Sequence, residues 1–223
     1  MSQRALLFDL DGTLADTAPD LVAVLNQMLA EEGRPPVPFA IARNVVSHGA
    51  IGLIRLGYGL APDAPVDADL RQQFLDLYAV LGHAFSKVFI ELETILSICS
   101  QMNASWGVVT NKPAALTEPL LEHLGLLSSA GTVVSGDTLP TRKPDPEPLR
   151  HAARELGVAP ADCIYLGDAE RDILAGRGAG MRTVSTSYGY IRPGEDHSSW
   201  LADATVDHPS KIESMLLSMT EAA

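Results

Sequence analysis

Positive charge is scarce in this chain of 223 residues: 16 Lys and Arg stand against 28 Asp and Glu, a formal charge of −12. Lysine occurs only at Lys87, Lys112, Lys143 and Lys211, and no basic run exists. Binding duplex nucleic acid or an anionic membrane requires a basic face that replaces phosphate counterions. Both partners are therefore excluded, whereas a small anion remains within reach if a metal or a few aimed donors offset the acids locally. Cysteine is nearly absent too. Cys99 and Cys163 lie far apart with no CxxC, so neither a zinc site nor a disulfide framework is indicated, and buried reduced thiols are expected. Aromatic residues make up 5%, which disfavours recognition by stacking and leaves Trp106 and Trp200 as packing residues. No uncharged apolar stretch reaches the ~18 residues of a spanning helix. The four apolar residues before Asp9 are too few for a signal segment. The expectation is a soluble, cytoplasmic protein.

What is present is a packed α/β pattern. Hydrophobic residues make up 46%. Continuous apolar runs at Ala5–Leu10, Trp106–Thr110, Thr132–Ser135, Cys163–Leu166 and Arg182–Ser187 read as fully buried strands. Helical patterns separate them: Ala114–Leu127 closing at Gly125, Glu147–Leu156 stopping at Gly157, and Asp172–Ala179 stopping at Gly180. Strand and helix alternating in this way predict a Rossmann-like parallel sheet with right-handed crossovers. From Thr17 to Ser86 the rhythm is helical only. Leu21, Val24, Leu25, Met28 and Leu29 share one helical face, and Leu70, Phe74, Leu77 and Tyr78 another, with breaks at Gly33–Pro38 and Gly57–Pro65. The expected organisation is an α/β core of residues 1–16 and 87–223 with a helical cap, residues 17–86, inserted after the first strand. Hinges are expected near Asp16–Pro19 and Ser86–Leu92.

Ligands of open α/β sheets bind at the carboxyl ends of the strands. Those ends carry Asp9 and Asp11, then Thr110 and Asn111, then Lys143 in the loop after the third core strand, then Asp168 and Asp172. Two carboxylates held 5 Å apart repel by about 3 kcal/mol at an effective dielectric near 20. A hard divalent cation removes that cost, and Mg²⁺ suits one or two carboxylates together with phosphate oxygens. The set reads as a metal-assisted phosphate site. Singly, each aspartate could be an ordinary helix or turn cap; as an ordered set they point to chemistry.

The string DLDGTLAD at 9–16 resembles the first motif of the haloacid dehalogenase-like hydrolases. VVTN at 108–111, Lys143 in RKPDPEP, and GDAERD at 167–172 resemble the second, third and fourth motifs, in the family's order. The helical block matches the family's cap, so the similarity spans nearly the whole chain. TNKP at 110–113, KPDPEP at 143–148, YGYIRP at 188–193 and VDHP at 206–209 look closest to the phosphoglycolate phosphatase group, and within it to bacterial N-acetylmuramic acid 6-phosphate phosphatases. The resemblance implies an Mg²⁺-dependent phosphatase acting on a small phosphomonoester. Asp9 is the expected nucleophile and Asp11 the general acid and base, with Lys143 balancing charge. Asp9, Asp11, Asp168 and Asp172 form the expected metal side, Asp11 also through its backbone carbonyl. Thr110, Asn111 and Gly12 face the phosphoryl group. Thr13 supports the turn, Asp16 caps the following helix, and Lys112 competes with Lys143 for the ammonium role.

Substrate choice is expected in the cap. No lysine lies between Thr17 and Ser86, which disfavours the Schiff-base chemistry of the family's phosphonoacetaldehyde hydrolases, and Asp11 argues for phosphate over halide. The cationic candidates are Arg34, Arg43, His48, Arg55, Arg71 and His83. Arg43 and His48, flanking the loop that continues into Gly49 and Ala50, are the expected substrate contacts. Many relatives carry a Pro-Gly turn where this chain has residues 88–94. A sugar phosphomutase and a catalytically weak binding or regulatory protein stay open as alternatives, as does the choice between monomer and homodimer.

Overall fold

In a computed structural model, residues 4–101 and 104–213 are described. Residues 1–3 and 214–223, which the sequence assigns to the core, lie outside them. Ala5–Phe8 forms β1, followed by a two-residue strand β2 (Ala15–Asp16). Four helices come next: α1 (Ala18–Glu31), α2 (Phe39–Ala42), α3 (Gly49–Tyr58) and α4 (Ala68–Leu81). Strand β3 (Lys87–Val88) pairs antiparallel with β2, so the chain leaves and re-enters the core through one short ribbon. The core continues with α5 (Leu92–Gln101), β4 (Ser105–Val109), α6 (Ala114–His123), β5 (Thr132–Val134), α7 (Glu147–Leu156), β6 (Cys163–Gly167), α8 (Glu170–Ala179), β7 (Arg182–Thr186) and β8 (Ala204–Val206).

Among the described residues, six strands form one parallel sheet in the order β5-β4-β1-β6-β7-β8. β1 is therefore the switch point, with later strands added first on one side and then on the other. Successive residues of a strand point to opposite faces. Leu6 and Phe8 accordingly pack with Leu96, Leu120 and Leu121 on one face, while Ala5 and Leu7 pack with Leu149, Ala152 and Ala175 on the other. A strand buried on both faces has no polar side to show, which is why its sequence is continuously apolar.

The four helices after β2 have their own apolar cluster. Leu21, Val24, Leu25, Met28 and Leu29 of α1 meet Leu53 and Ile54 of α3 and Phe74 and Tyr78 of α4. Leu116 of α6 and Tyr190 join that cluster from the core side. Asp67 caps α4, accepting from the N–H groups of Asp69 and Leu70 at 2.9 and 3.1 Å. Asp16 caps α1 as expected only through a long bond, Oδ1 accepting from Ala18 N at 3.4 Å, and Tyr190 supplies the shorter ones. The phenol of Tyr190 accepts from Thr17 N at 2.7 Å and Ala18 N at 3.0 Å, and donates to Asp16 Oδ1 at 2.7 Å. At residues 88–94, Glu91 takes φ +73°, the left-handed turn conformation that glycine would adopt without strain. Among the described residues, no helix is long and apolar enough to cross a membrane.

Candidate active site

Asp9 follows the last residue of the central strand and is buried. Its N–H bonds Leu166 O at 2.9 Å, which fixes the main chain, and its Oδ1 accepts from Leu10 N at 2.8 Å and Lys143 Nζ at 2.9 Å. Lys143 Nζ also bonds Asp172 Oδ1 at 2.7 Å, Val109 O at 2.9 Å and the Tyr165 hydroxyl at 2.7 Å. Three N–H donors thus meet four acceptors, and the ammonium has one position. The loop that carries it is anchored by Asn111, whose Oδ1 accepts from Lys143 N at 3.0 Å while Nδ2 donates to Lys143 O at 2.9 Å. Both polar atoms of that side chain are engaged with the lysine backbone. Thr110, buried beside it, accepts Lys112 N at 3.2 Å.

Carboxylate oxygens of Asp9, Asp168 and Asp172 all lie within 4.8 Å of one another. Asp168 Oδ2 accepts from Ser47 Oγ at 2.6 Å and Tyr190 N at 2.8 Å, but its buried Oδ1 has no hydrogen-bond partner. Burial, and then the negative charges of Asp9 and Asp172, push its pKa up to about 7, against the opposing pull of those two hydrogen bonds. An unpartnered carboxylate oxygen facing two other carboxylates is a natural seat for a hard cation. The donor set, all oxygen, fits a divalent metal. Asp11 contributes no side-chain oxygen to this trio. Its Oδ1 accepts from Thr17 Oγ1 at 2.6 Å and Lys112 Nζ at 3.0 Å.

Lys112 is therefore not a rival of Lys143 but its counterpart, one ammonium for each of the two leading aspartates. The Lys112 ammonium also bonds the Tyr78 hydroxyl at 3.2 Å. Burial pulls its pKa down, but Asp11 and Tyr78 outweigh burial and hold it above the ordinary lysine value. Gly12 makes the close packing of the site feasible. It has φ +86°, and a Cβ there would lie 2.2 Å from Asp168 Oδ2 and 2.7 Å from the Tyr190 ring. Thr13, buried, meets Thr186 Oγ1 at 3.2 Å.

Above Asp9 and Asp11 opens a cavity of about 420 Å³. Thr110, Asn111, Lys112 and Lys143 line its floor, and Leu21, Val46, Phe74 and Tyr78 its helical roof. His48 reaches it; burial, then the charges of Arg192 and Arg171, push the imidazole pKa down to about 4. It is thus neutral at pH 7 and not a cation. Arg43 is placed elsewhere. Its guanidinium donates to the carbonyls of Gly189 at 3.2 Å and Tyr188 at 3.4 Å and lies 4.8 Å above the Tyr190 ring, tying the helical region to the core loop beneath it.

Two contributors escape the linear pattern. Ser47 reaches across to Asp168, 121 positions away. Arg171, inside the fourth motif, lines the cavity with its guanidinium 4.0 Å from Asp9 Oδ2. Its position in the first turn of α8, between Asp168 and Asp172, is the available signal.

Residues 6–186 match the haloacid dehalogenase-like hydrolase family, and the chain belongs to it. Among its relatives, an N-acetylmuramic acid 6-phosphate phosphatase of Pseudomonas putida is 41% identical over 216 residues, covering 97% of each chain. A phosphoglycolate phosphatase of Xanthomonas campestris pv. campestris is 42% identical over 209 residues, covering 94% of each. The fold is shared with the crystal structure of a predicted phosphoglycolate phosphatase from Haemophilus somnus, at TM-score 0.82 and 24% identity over 97% of this chain and 99% of that one.

Proposed function

We propose that this family member is a cytoplasmic, Mg²⁺-dependent phosphomonoesterase whose substrate is N-acetylmuramic acid 6-phosphate rather than 2-phosphoglycolate. The observation that carries the reading is the pair of aspartates on one strand end, each with its own buried ammonium, beneath an apolar-roofed cavity of about 420 Å³. That volume lies in the range of roughly 300–1,000 Å³ typical of sites that enclose larger organic ligands. A two-carbon acid leaves most of it to water, whereas an acylated sugar acid fills it and lays apolar groups against Phe74 and Leu21. The relatives named for these two substrates match this chain almost equally, so the preference for the sugar ester rests on the size of the cavity.

In the chemistry this implies, a carboxylate oxygen of Asp9 attacks phosphorus, forming the aspartyl–phosphate bond as the ester P–O bond breaks. Asp11 gives its proton to the departing alkoxide. It then takes a proton from a water that attacks the same phosphorus, which releases inorganic phosphate and restores the Asp9 carboxylate. Lys143 holds Asp9 in one orientation and offsets charge on the phosphoryl oxygens. Lys112 holds Asp11 toward the leaving group. Asp9, Asp168 and Asp172 would hold the cation, with the Asp11 carbonyl facing it, and the bound ion supplies positive charge that neutralises the carboxylates and polarises the phosphoryl group.

Lys112, Lys143 and Arg171 set three positive charges of the chain's own beside these aspartates, where the phosphoryl group would sit. A kcat/KM comparison between the two phosphate esters, with Mg²⁺ and with chelator, tests the reading. The expected result is chelator-sensitive hydrolysis with the sugar phosphate preferred by at least ~100-fold, about 2.7 kcal/mol. A preference for phosphoglycolate contradicts the substrate assignment.

A further inference from the structure

The cavity roof holds a cation that the chemistry described above does not use. Helix α4 turns Phe74, Leu75 and Tyr78 toward the cavity, and Arg71, one turn before Leu75, lines it on the same stripe. Tyr78 marks the reacting end, since its hydroxyl bonds the ammonium that holds Asp11. Seven residues separate Tyr78 from Arg71, about 10 Å along the helix axis at a rise of ~1.5 Å each. Helical side chains lean toward the N-terminus, so the guanidinium lies at the far end of the cavity from the aspartates.

Among the cap's basic side chains, Arg71 is the one left for a ligand. Arg34 is paired with Glu32 on the surface at 2.9 Å. Arg43 is bound to core carbonyls, and Arg55 donates to Ala64 O at 2.9 Å. His83 packs edge-on against Tyr78 with ring centroids 5.2 Å apart. His48 is neutral. The half-buried Arg71 guanidinium has neither a carboxylate nor a carbonyl partner among the described residues. In a protein of charge −12, an arginine lining a cavity without an acid beside it implies that the acid arrives with the ligand.

We propose that Arg71 is the specificity-determining residue and binds a carboxylate that the substrate carries at the opposite end from its phosphate. The inference rests on the phosphatase reading and deepens it by setting a length. In a sugar 6-phosphate bearing a 3-O-lactyl group, eight bonds separate phosphorus from the carboxyl carbon, roughly 10 Å along the extended zigzag. In phosphoglycolate three bonds separate them, roughly 4 Å. Arg71 therefore reads the first and not the second.

The test compares wild type, Arg71→Gln and Arg71→Lys on three esters: N-acetylmuramic acid 6-phosphate, N-acetylglucosamine 6-phosphate, which lacks the 3-O-lactyl group and with it the carboxylate, and p-nitrophenyl phosphate. The expected result is a loss of about 10–100-fold in kcat/KM for Arg71→Gln on the carboxylated sugar alone, carried mainly by KM. Changes on the other two esters stay within about twofold, and Arg71→Lys recovers part of the loss. Equal losses on both sugars, or no loss on either, overturn the ruler. Wild-type hydrolysis of p-nitrophenyl phosphate without hydrolysis of the carboxylated sugar also overturns it while leaving the phosphatase reading standing. Failure of wild type on all three esters in the presence of Mg²⁺ overturns both.

Discussion

The two walls of the cavity are built on opposite principles. On the core side the charged groups that lead the chemistry are each fixed by several partners: Asp9 by Leu10 N and Lys143, Lys143 by four acceptors, Asp11 by Thr17 and Lys112. On the cap side the surface is mainly apolar, and its polar side chains are either turned to the core, as with Arg43 and Ser47, or unpartnered, as with Arg71. A reaction whose charges must sit within fractions of an ångström belongs on the rigid wall. Ligand choice belongs on the wall that has free groups to offer. Ser47 and Arg43 also mean that the cap's seating is felt by Asp168 and by the loop of Tyr188 and Gly189.

Breaking the rigid wall has the largest consequence. Asp9→Asn is expected to lower kcat by roughly 10⁴-fold or more on every ester, because it removes the nucleophile while leaving the cavity intact. Cap variants such as Arg71→Gln lose activity on one class of substrate only. Phosphate release by Asp9→Asn at the wild-type rate removes the distinction between the walls.

Lys143→Met comes next. It leaves Asp9 and Asp172 facing each other without the ammonium that both contact, and breaking a buried pair of this kind costs about 3–5 kcal/mol. Urea unfolding in chelator should show that loss. Added Mg²⁺ should restore part of it, since a divalent ion among the three aspartates replaces the missing charge. Unchanged stability in chelator means that the network is not what holds the core wall.

The smallest effect concerns His48. Its folded-state pKa is pushed below the ordinary 6.5 to about 4, by burial first and then by Arg192 and Arg171, with Glu195 opposing and Arg55 adding a smaller push. The folded protein resists protonation of this ring and the unfolded chain does not. Its stabilising effect is thus complete above pH 6.5 and is lost as pH falls toward 4. His48→Gln should narrow the gap in urea midpoint between about pH 7.5 and about pH 5. An unaltered gap shows that His48 is not held neutral.

The core wall was legible in the sequence and the cap wall was not, for a physical reason. Asp9, Asp11 and Asp168 stand within three residues of the end of a buried strand, so continuous apolar runs announce them, and Asp172 follows in the first turn of α8. The motif around Lys143 sits in a loop of fixed shape. Asn111 is different: the sequence placed it at the site, but its side chain serves the Lys143 backbone, a contact between loops that no local pattern records. The cap's contacts are long-range throughout. Tyr190 caps α1 from 172 positions away, and Arg43 meets Gly189 across 146. The basic residues alone favour Arg43 and His48; that Arg43 is bound to core carbonyls while His48 and Arg71 line the cavity is a matter of long-range contacts. The final strand β8, three residues long, is too short for its pattern to stand out.

The central claim is that Asp9 carries the phosphoryl group between the two half-reactions. Acid-quenching the enzyme during steady turnover of N-acetylmuramic acid 6-phosphate, followed by peptide mass analysis, tests it directly. The account predicts one phosphoryl group on the peptide containing Asp9, localised to that residue and missing from Asp9→Asn. Turnover with no phosphopeptide, or with the phosphoryl group on another side chain, would contradict it.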